Sequence, residues 1–338
     1  MSEINIDTSM IQNDVSLNHK EEKRVEMSNG CICCTLREDL LEEVTKLAKA
    51  RKFDYLLIES TGISEPLPVA ETFTFEDEEG NSLSEFANLD TMVTVIDGKN
   101  FLKDLESVET LADKKIGLSE EDERTIANLL LDQIEFANII VINKMDLITN
   151  AEAMRLKAFV KKLNPEAEVV FSEMGKVESS KILNTGKFNF EQAANDPGWL
   201  KELRGEHVPE TEEYDISSFV YDEQRPFHPQ RLYKLLEESK LENVVRSKGF
   251  FWIASHSDIA GIWSHAGNII NLNPGGYWEA DKEERKQQIV IIGVKLDKEK
   301  IKSVLDEALL TDEEMKLNEL EWANFSHPSL NWSYAEEL

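Results

Sequence analysis

Three short apolar runs, each closed by a polar residue or a turn, constrain the fold of this chain most tightly. They are Tyr55-Leu56-Leu57-Ile58 before Glu59, Met92-Val93-Thr94-Val95-Ile96 before Asp97-Gly98, and Ile139-Ile140-Val141-Ile142 before Asn143. Runs this short and this apolar, without polar alternation, suit strands covered on both faces, as in a parallel sheet. Helical spacing over 125–136 and 151–163 fills later intervals, and Val169-Val170-Phe171 supplies a further strand. Strands alternating with helices predict an α/β, mostly parallel sheet. Such sheets bind ligands beyond the carboxyl ends of their strands, so the residues just after each strand carry the functional reading.

All three cysteines of the 338 residues fall within four positions, in Gly30-Cys31-Ile32-Cys33-Cys34-Thr35. Thr35-x-x-Glu38 reads as a capping box, and Leu36, Leu40, Val44 and Leu47 fall on one helical face, so a helix is expected from Thr35 to near Lys52. The thiols then sit at the positive end of a helix dipole, which lowers their pKa and favours the thiolate, the form that binds soft metals. A single cysteine there would read as a small buried hydrophobe, but three so close together do not. The spacing is not the paired CxxC of a zinc ribbon or a thioredoxin, so a complete metal site needs ligands from elsewhere.

Two strand ends carry nucleotide chemistry. Glu59-Ser60-Thr61-Gly62 resembles the acidic strand end of P-loop NTPases, where the carboxylate holds Mg2+ or its water and the glycine amide senses the γ-phosphate. Asn143-Lys144-Met145-Asp146 matches the NKxD guanine motif. There the Asp146 carboxylate accepts both the N1 proton and the exocyclic amine of guanine, a pattern adenine does not offer, while the Lys144 stem packs on the base. After the next strand, Ser172-Glu173-Met174-Gly175 is placed to add backbone contacts to the base.

Charge excludes other classes. Thirty-seven Lys and Arg against 66 Asp and Glu give a formal charge of −29, which repels phosphate backbones, so nucleic acid is not expected as a partner. The acidic runs 76–79 and 120–123 read as solvated loops or helix starts. No apolar run of 18 residues occurs and the N-terminus has no signal-peptide shape, so no membrane association and a cytoplasmic location are expected. A cysteine cluster kept in a reducing compartment favours metal or redox chemistry over disulfides.

Taken together, GCICCTLREDL (30–40), ESTGISEP (59–66), DQIEFANIIVINKMDL (132–147) and RPFHPQRL (225–232) resemble the CobW-type branch of P-loop GTPases, metal chaperones and metallocofactor-insertion GTPases. The resemblance implies that Cys31, Cys33 and Cys34 bind metal, with Glu3 a further ligand. It makes Glu59 and Gly62 the catalytic strand end and Asn143, Lys144 and Asp146 the guanine-reading set. The family's GxxGxGKT phosphate loop occurs nowhere in the 338 residues. The chain is therefore read as an N-terminally truncated member, with the first strand, the phosphate loop, its helix and the second strand lying before Met1. Hydrolysis is expected to be impaired in the chain as given, and GTP with Mg2+ to bind only when that segment is present.

The expected fold is a P-loop-GTPase-like, mostly parallel α/β sheet, incomplete at its N-terminus, followed by a small α+β domain. Residues 1–180 form the nucleotide and metal domain, 181–212 a linker, 213–310 the CobW C-terminal-like domain and 311–338 an acidic-aromatic tail. In the second domain, strands are expected over 214–221, 244–254, 268–272 and 288–294, with helices over 229–239 and 298–310. Arg225, His228, Arg231, Lys248, His256 and His265 lie in or beside these elements; in an acidic protein such a cluster suits an anion or a metal, while lone histidines near Trp252 and Trp263 read as packed core members and are not taken as ligands. The expected function is a GTP-binding metal chaperone, with zinc as the metal, coupling nucleotide state to delivery to a client protein. The alternative is a non-catalytic metal-binding or client-binding protein that has lost GTPase activity.

Overall fold

A parallel three-stranded sheet runs in the order β1 (Val93–Asp97), β2 (Ile139–Asn143), β3 (Glu168–Phe171). This computed structural model describes residues 44–50, 53–60, 62, 66–73, 83–105, 125–189, 215–238, 241–278, 285–325 and 332. Its helices in this part are α1 (Pro66–Thr72), α2 (Phe101–Leu105), α3 (Ile126–Glu135) and α4 (Asn150–Leu163). Residues 44–50 are also helical, as expected there; the start of that helix and the cysteine motif lie outside the described residues. β2 is central, and Ile139, Ile140, Val141 and Ile142 are all buried, with β1 and β3 on its edges and Ile140 and Ile142 packed with Leu131, Ile134, Leu156 and Phe159 of α3 and α4.

The ends of the helices are set locally. Thr125 caps α3 by accepting from the Asn128 amide, and Thr149 with Glu152 forms a full capping box on α4. Buried Asn164 closes the other end of α3: its Nδ2 donates to the Ile134 and Ala137 carbonyls, both at 2.8 Å, and its Oδ1 accepts from the Ala167 amide at 3.1 Å. One side chain thereby satisfies carbonyls that the helix end leaves open.

The strand expected over Tyr55–Ile58 does not form. Residues 55–60 make no ladder with any described strand, and Leu57 is 73% exposed. β1 has one free edge among the described residues, and its Val95 is 62% exposed. Apolar composition marks a segment that gains from burial, but a strand exists only where a neighbour supplies hydrogen-bond partners. Side chains hold this run instead: the Tyr55 hydroxyl donates to Asp90 Oδ2 at 2.7 Å, and Asp90 also accepts from the amides of Thr185 and Gly186.

The second sheet is antiparallel, in the order β4 (Ile216–Glu223), β8 (Gln287–Val294), β5 (Val244–Trp252), β6 (Ile259–Ala266), β7 (Ile269–Tyr277). Helices α5 (Pro229–Glu237) and α6 (Lys298–Asp306) pack on it, and a short α7 (Glu319–Trp322) follows. β8 lies between β4 and β5 with both faces covered. Ile289 and Ile291 join the cluster of Phe227, Leu232, Ile301 and Leu305, while Val290 and Ile292 join the cluster of the parallel-sheet helices, with Leu131, Ile134 and Phe159. Period-two alternation between two apolar environments explains why the strand reads as an unbroken apolar run.

A buried ion pair fastens this sheet to α3. Arg246 donates from Nε to Glu135 Oε1 at 2.8 Å and from Nη2 to Glu135 Oε2 at 3.0 Å and to Asp132 Oδ1 at 3.1 Å, while Lys248 Nζ donates to Glu135 Oε2 at 3.4 Å. Burial works against both charges, yet Arg246 holds the Glu135 carboxyl below its ordinary range and Glu135 raises Arg246. The tight turn after β6 completes the contact. Gly267 has φ +60°, and a Cβ there would come within 2.4 Å of the Leu105 carbonyl, so glycine answers both the backbone conformation and the space.

Candidate functional site

The register β1:β2 sets Asp97 opposite Asn143, so two polar strand tips sit side by side at the carboxyl edge of the sheet. Asp97 is a hub there: Oδ1 accepts from the amides of Lys99 and Asn100, and Oδ2 accepts from Asn100 Nδ2 at 2.9 Å and from Lys144 Nζ at 2.8 Å. Partial burial opposes the charge, but Lys144 and the other donors hold the Asp97 carboxyl down to about 2. Asp97 in turn raises the Lys144 ammonium. Lys144 takes φ 62°, a left-handed conformation that turns the chain sharply out of β2.

The loops around these tips are tied to each other. Gly98 donates its amide to the Asn143 carbonyl at 3.0 Å, and a Cβ on Gly98 would stand 2.7 Å from that oxygen, so only glycine permits the approach. Asn143 Oδ1 accepts from the Gly175 amide at 3.0 Å, Met145 donates to the Ser172 carbonyl at 3.1 Å, and Ser172 donates to Ile142 at 2.9 Å. Met174 and Gly175 both have positive φ, and the Lys176 amide closes back on the Glu173 carbonyl, a tight turn of the primed type. The 172–175 loop expected near a base is therefore locked to β2 through Asn143, with the Gly175 amide already in use.

Asp146 lies in the single turn Met145–Leu147, exposed, without a hydrogen-bond partner among the described residues. A carboxylate with both oxygens free, beside a lysine stem held across two strand tips, can take a planar ring that offers two adjacent N–H groups. The structure thus brings Asn143, Lys144 and Asp146 together. Among the described residues, no hydrogen bond or ion pair links Glu59 or Gly62 to them. Glu59 is exposed, and Gly62 is held elsewhere, its carbonyl accepting from Gln133 Nε2 on α3 at 3.0 Å. Cys31, Cys33, Cys34 and Glu3 lie outside the described residues. Among those described, no group of three or more His, Cys, Asp or Glu is arranged to hold a metal, and no helix is long and apolar enough to cross a membrane.

Asp97 is the site residue that the sequence reading passes over, although it closes a strand just as Asn143 does. The basic and histidine residues of the second sheet all have contacts within the protein. Arg225 and Arg231 bond the chain at 309–314, His228 stacks on Phe325, and His256 packs at a tilt against Trp332. Buried His265 donates from Nε2 to the Gly267 carbonyl at 2.8 Å, which leaves Nδ1 to accept from Ser247 Oγ, itself the acceptor of Trp263 Nε1. Burial first, and Arg246 beside it, push the His265 imidazole down to about 4.

A parallel α/β sheet with an Asn-Lys-x-Asp turn beyond its central strand is the frame of a nucleotide-binding domain. The chain belongs to the CobW/HypB/UreG family: residues 1–171 match its nucleotide-binding domain, and residues 216–309 match the cobalamin synthesis protein CobW C-terminal domain. It is 45% identical to zinc-regulated GTPase metalloprotein activator 1 of Dictyostelium discoideum over 97% of this chain and 76% of that protein. It is 26% identical to the Saccharomyces cerevisiae protein of the same name, over 84% of this chain and 70% of that one. The crystal structure of Zn(II)-bound YjiA GTPase from E. coli aligns over 81% of this chain and 77% of its own at 22% identity, with a TM-score of 0.33, below what establishes a shared fold.

Proposed function

We propose that this protein is a GTP-dependent zinc chaperone that carries Zn2+ on its cysteine cluster and hands it to a metal-requiring client protein. The observation that carries the reading is the strand-tip set, in which Asn143 ties the loops, Asp97 anchors Lys144 and Asp146 is left free. Asp146 would accept the N1 proton and the exocyclic amine of guanine, and the Lys144 stem would cover the ring. The names of the relatives support both halves, guanine nucleotide and zinc. Cys31, Cys33 and Cys34 would hold the cargo as thiolates, with Glu3 as an oxygen ligand, and loading would release protons. A reducing cytoplasm suits three reactive thiols.

Glu59 offers the exposed carboxylate that Mg2+ takes directly or through a water, and Gly62 would sense the γ-phosphate. Because Gly62 is bonded to Gln133, a shift of that loop would reach α3, the helix that carries Glu135 and Asp132. Nucleotide state, sensed at this strand end, would bias the segment that holds the metal. The phosphates themselves need a cradle of amides and a lysine, and the GxxGxGKT motif that supplies it does not occur in the 338 residues. The test of base choice therefore uses a chain that carries such a loop. Asp146→Asn should weaken guanine nucleotide and improve xanthine nucleotide, because the amine at position 2 becomes a carbonyl that needs a donor. Equal loss of both would show that Asp146 supports the turn and does not read the base.

A further inference from the structure

The end of the antiparallel sheet beside α7 holds donors that the protein's own tail does not use. His228 precedes α5 without capping it through its side chain, is 8% exposed, stacks on Phe325 with centroids 4.7 Å apart, and has a buried Nδ1 with no partner. Arg231 Nε, Arg285 Nε and Trp278 Nε1 are buried and unpartnered in the same way. All four side chains border the segment 311–325. Arg231 grips Glu314 with bonds of 2.9 and 2.6 Å, Arg285 reaches Glu319 at 3.4 Å, and Trp278 packs with Trp252, Trp322 and Phe325.

That segment is docked by side chains. It carries five carboxylates and one lysine, with Trp322 buried against Trp252. From Met315 to Phe325, each backbone N–H that finds a carbonyl finds one inside the segment. Its turns carry their own caps, Thr311 with Glu314 and Asn318 with Glu321. Leu320 points to solvent, 85% exposed. A piece of chain that closes its own hydrogen bonds can leave as a unit without opening a sheet.

We propose that the seat formed by Arg225, His228, Arg231, Arg285, Trp252 and Trp278 is a docking site for an acidic segment with an aromatic anchor on a partner protein, and that 311–325 is its resident mimic. The Arg231, Arg285 and Trp278 donors without acceptors weaken the hold on the tail, and a segment that brings carboxylate oxygens to them gains what the tail does not. The net charge of −29 repels acidic partners over most of the surface, so this local basic and aromatic set would select a matched sequence. The proposal stands apart from the nucleotide and zinc reading.

The test uses the full chain with Glu314→Gln and Trp322→Ala to loosen the tail, and a fluorescein-labelled synthetic peptide of residues 311–325 as probe, read by polarisation. The loosened chain should bind the probe at least about tenfold tighter than the unmodified chain, whose tail competes at high effective concentration. Adding Arg231→Gln should remove about tenfold of that affinity, as loss of a hydrogen-bonded charge pair does. A second peptide that keeps only the five carboxylates and the two aromatics on an alanine background should bind within about threefold of the first, since charge and anchors carry recognition. Probe binding that is no tighter in the loosened chain, or is indifferent to Arg231→Gln, overturns the proposal. So does recognition of the native peptide alone, which would make the contact a purely internal latch. If the double variant loses its cooperative melt, Glu314→Gln alone is read the same way: tighter binding supports the site and unchanged binding overturns it.

Discussion

Among single side chains, burial and charge separate groups committed to the fold from groups left free for a ligand. His265 is on the first side. The fold holds its imidazole neutral and pushed down to about 4, by burial, with Arg246 adding to the effect and the Gly267 carbonyl opposing it. The unfolded chain takes a proton near the ordinary 6.5. Stability should therefore be full above pH 6.5, fall as the pH drops toward 4 and level off below, a loss on the order of 3 kcal/mol. Urea midpoints measured across that range check this, and His265→Gln, which keeps a donor for Gly267, should flatten the profile. Asp146, exposed and without a hydrogen-bond partner among the described residues, is on the second side in the proposed reading, and its tetrapeptide draws notice in the sequence because it follows an apolar strand. Asp97 does not, since Asp-Gly after a strand reads as an ordinary turn. Its role arises only from the register that sets it beside Asn143 and within reach of Lys144.

Between elements, the junction of α3 with β5 makes a measurable claim. Arg246→Ala would leave the buried Glu135 carboxylate with Lys248 at 3.4 Å as its remaining cation and should cost about 3 kcal/mol, whereas Arg246→Met together with Glu135→Leu should be near neutral or stabilising. Chemical denaturation of the two variants decides it. If both lose stability equally, the pair is worth more than the apolar packing that replaces it. The same elements show what sequence pattern can and cannot give. β2 and β8 were legible because both are covered on two faces, so apolar content reports their burial directly. β6 was missed: its buried positions include Gly261 and His265, which break the apolar alternation although the facing alternation is intact. β7 runs on to Tyr277 through Pro274 and two glycines, which only a strand at the edge of its sheet accommodates. Residues 55–58 fail in the opposite sense, being apolar enough for a strand but lacking a partner among the described residues.

Across the molecule, Ile216, Ala266, Val290 and Ile292 of the antiparallel sheet lie in one hydrophobic cluster with the helices of the parallel sheet, so the two folding patterns share a core. A displacement at the Gly62 loop would meet that shared core through Gln133 and α3, the route by which the proposed nucleotide site would reach the rest of the protein. The cysteine cluster stands out in the sequence because it gathers every thiol into four positions, and the zinc cargo is the central claim made of it. Competition of the purified chain with a chromophoric chelator for Zn2+ tests that claim most directly. The account predicts about one tightly held ion per chain, an affinity that falls as pH drops because the thiolates take up protons, and loss of that ion when Cys31, Cys33 and Cys34 become serine. Unchanged stoichiometry and affinity in the triple serine variant would contradict it.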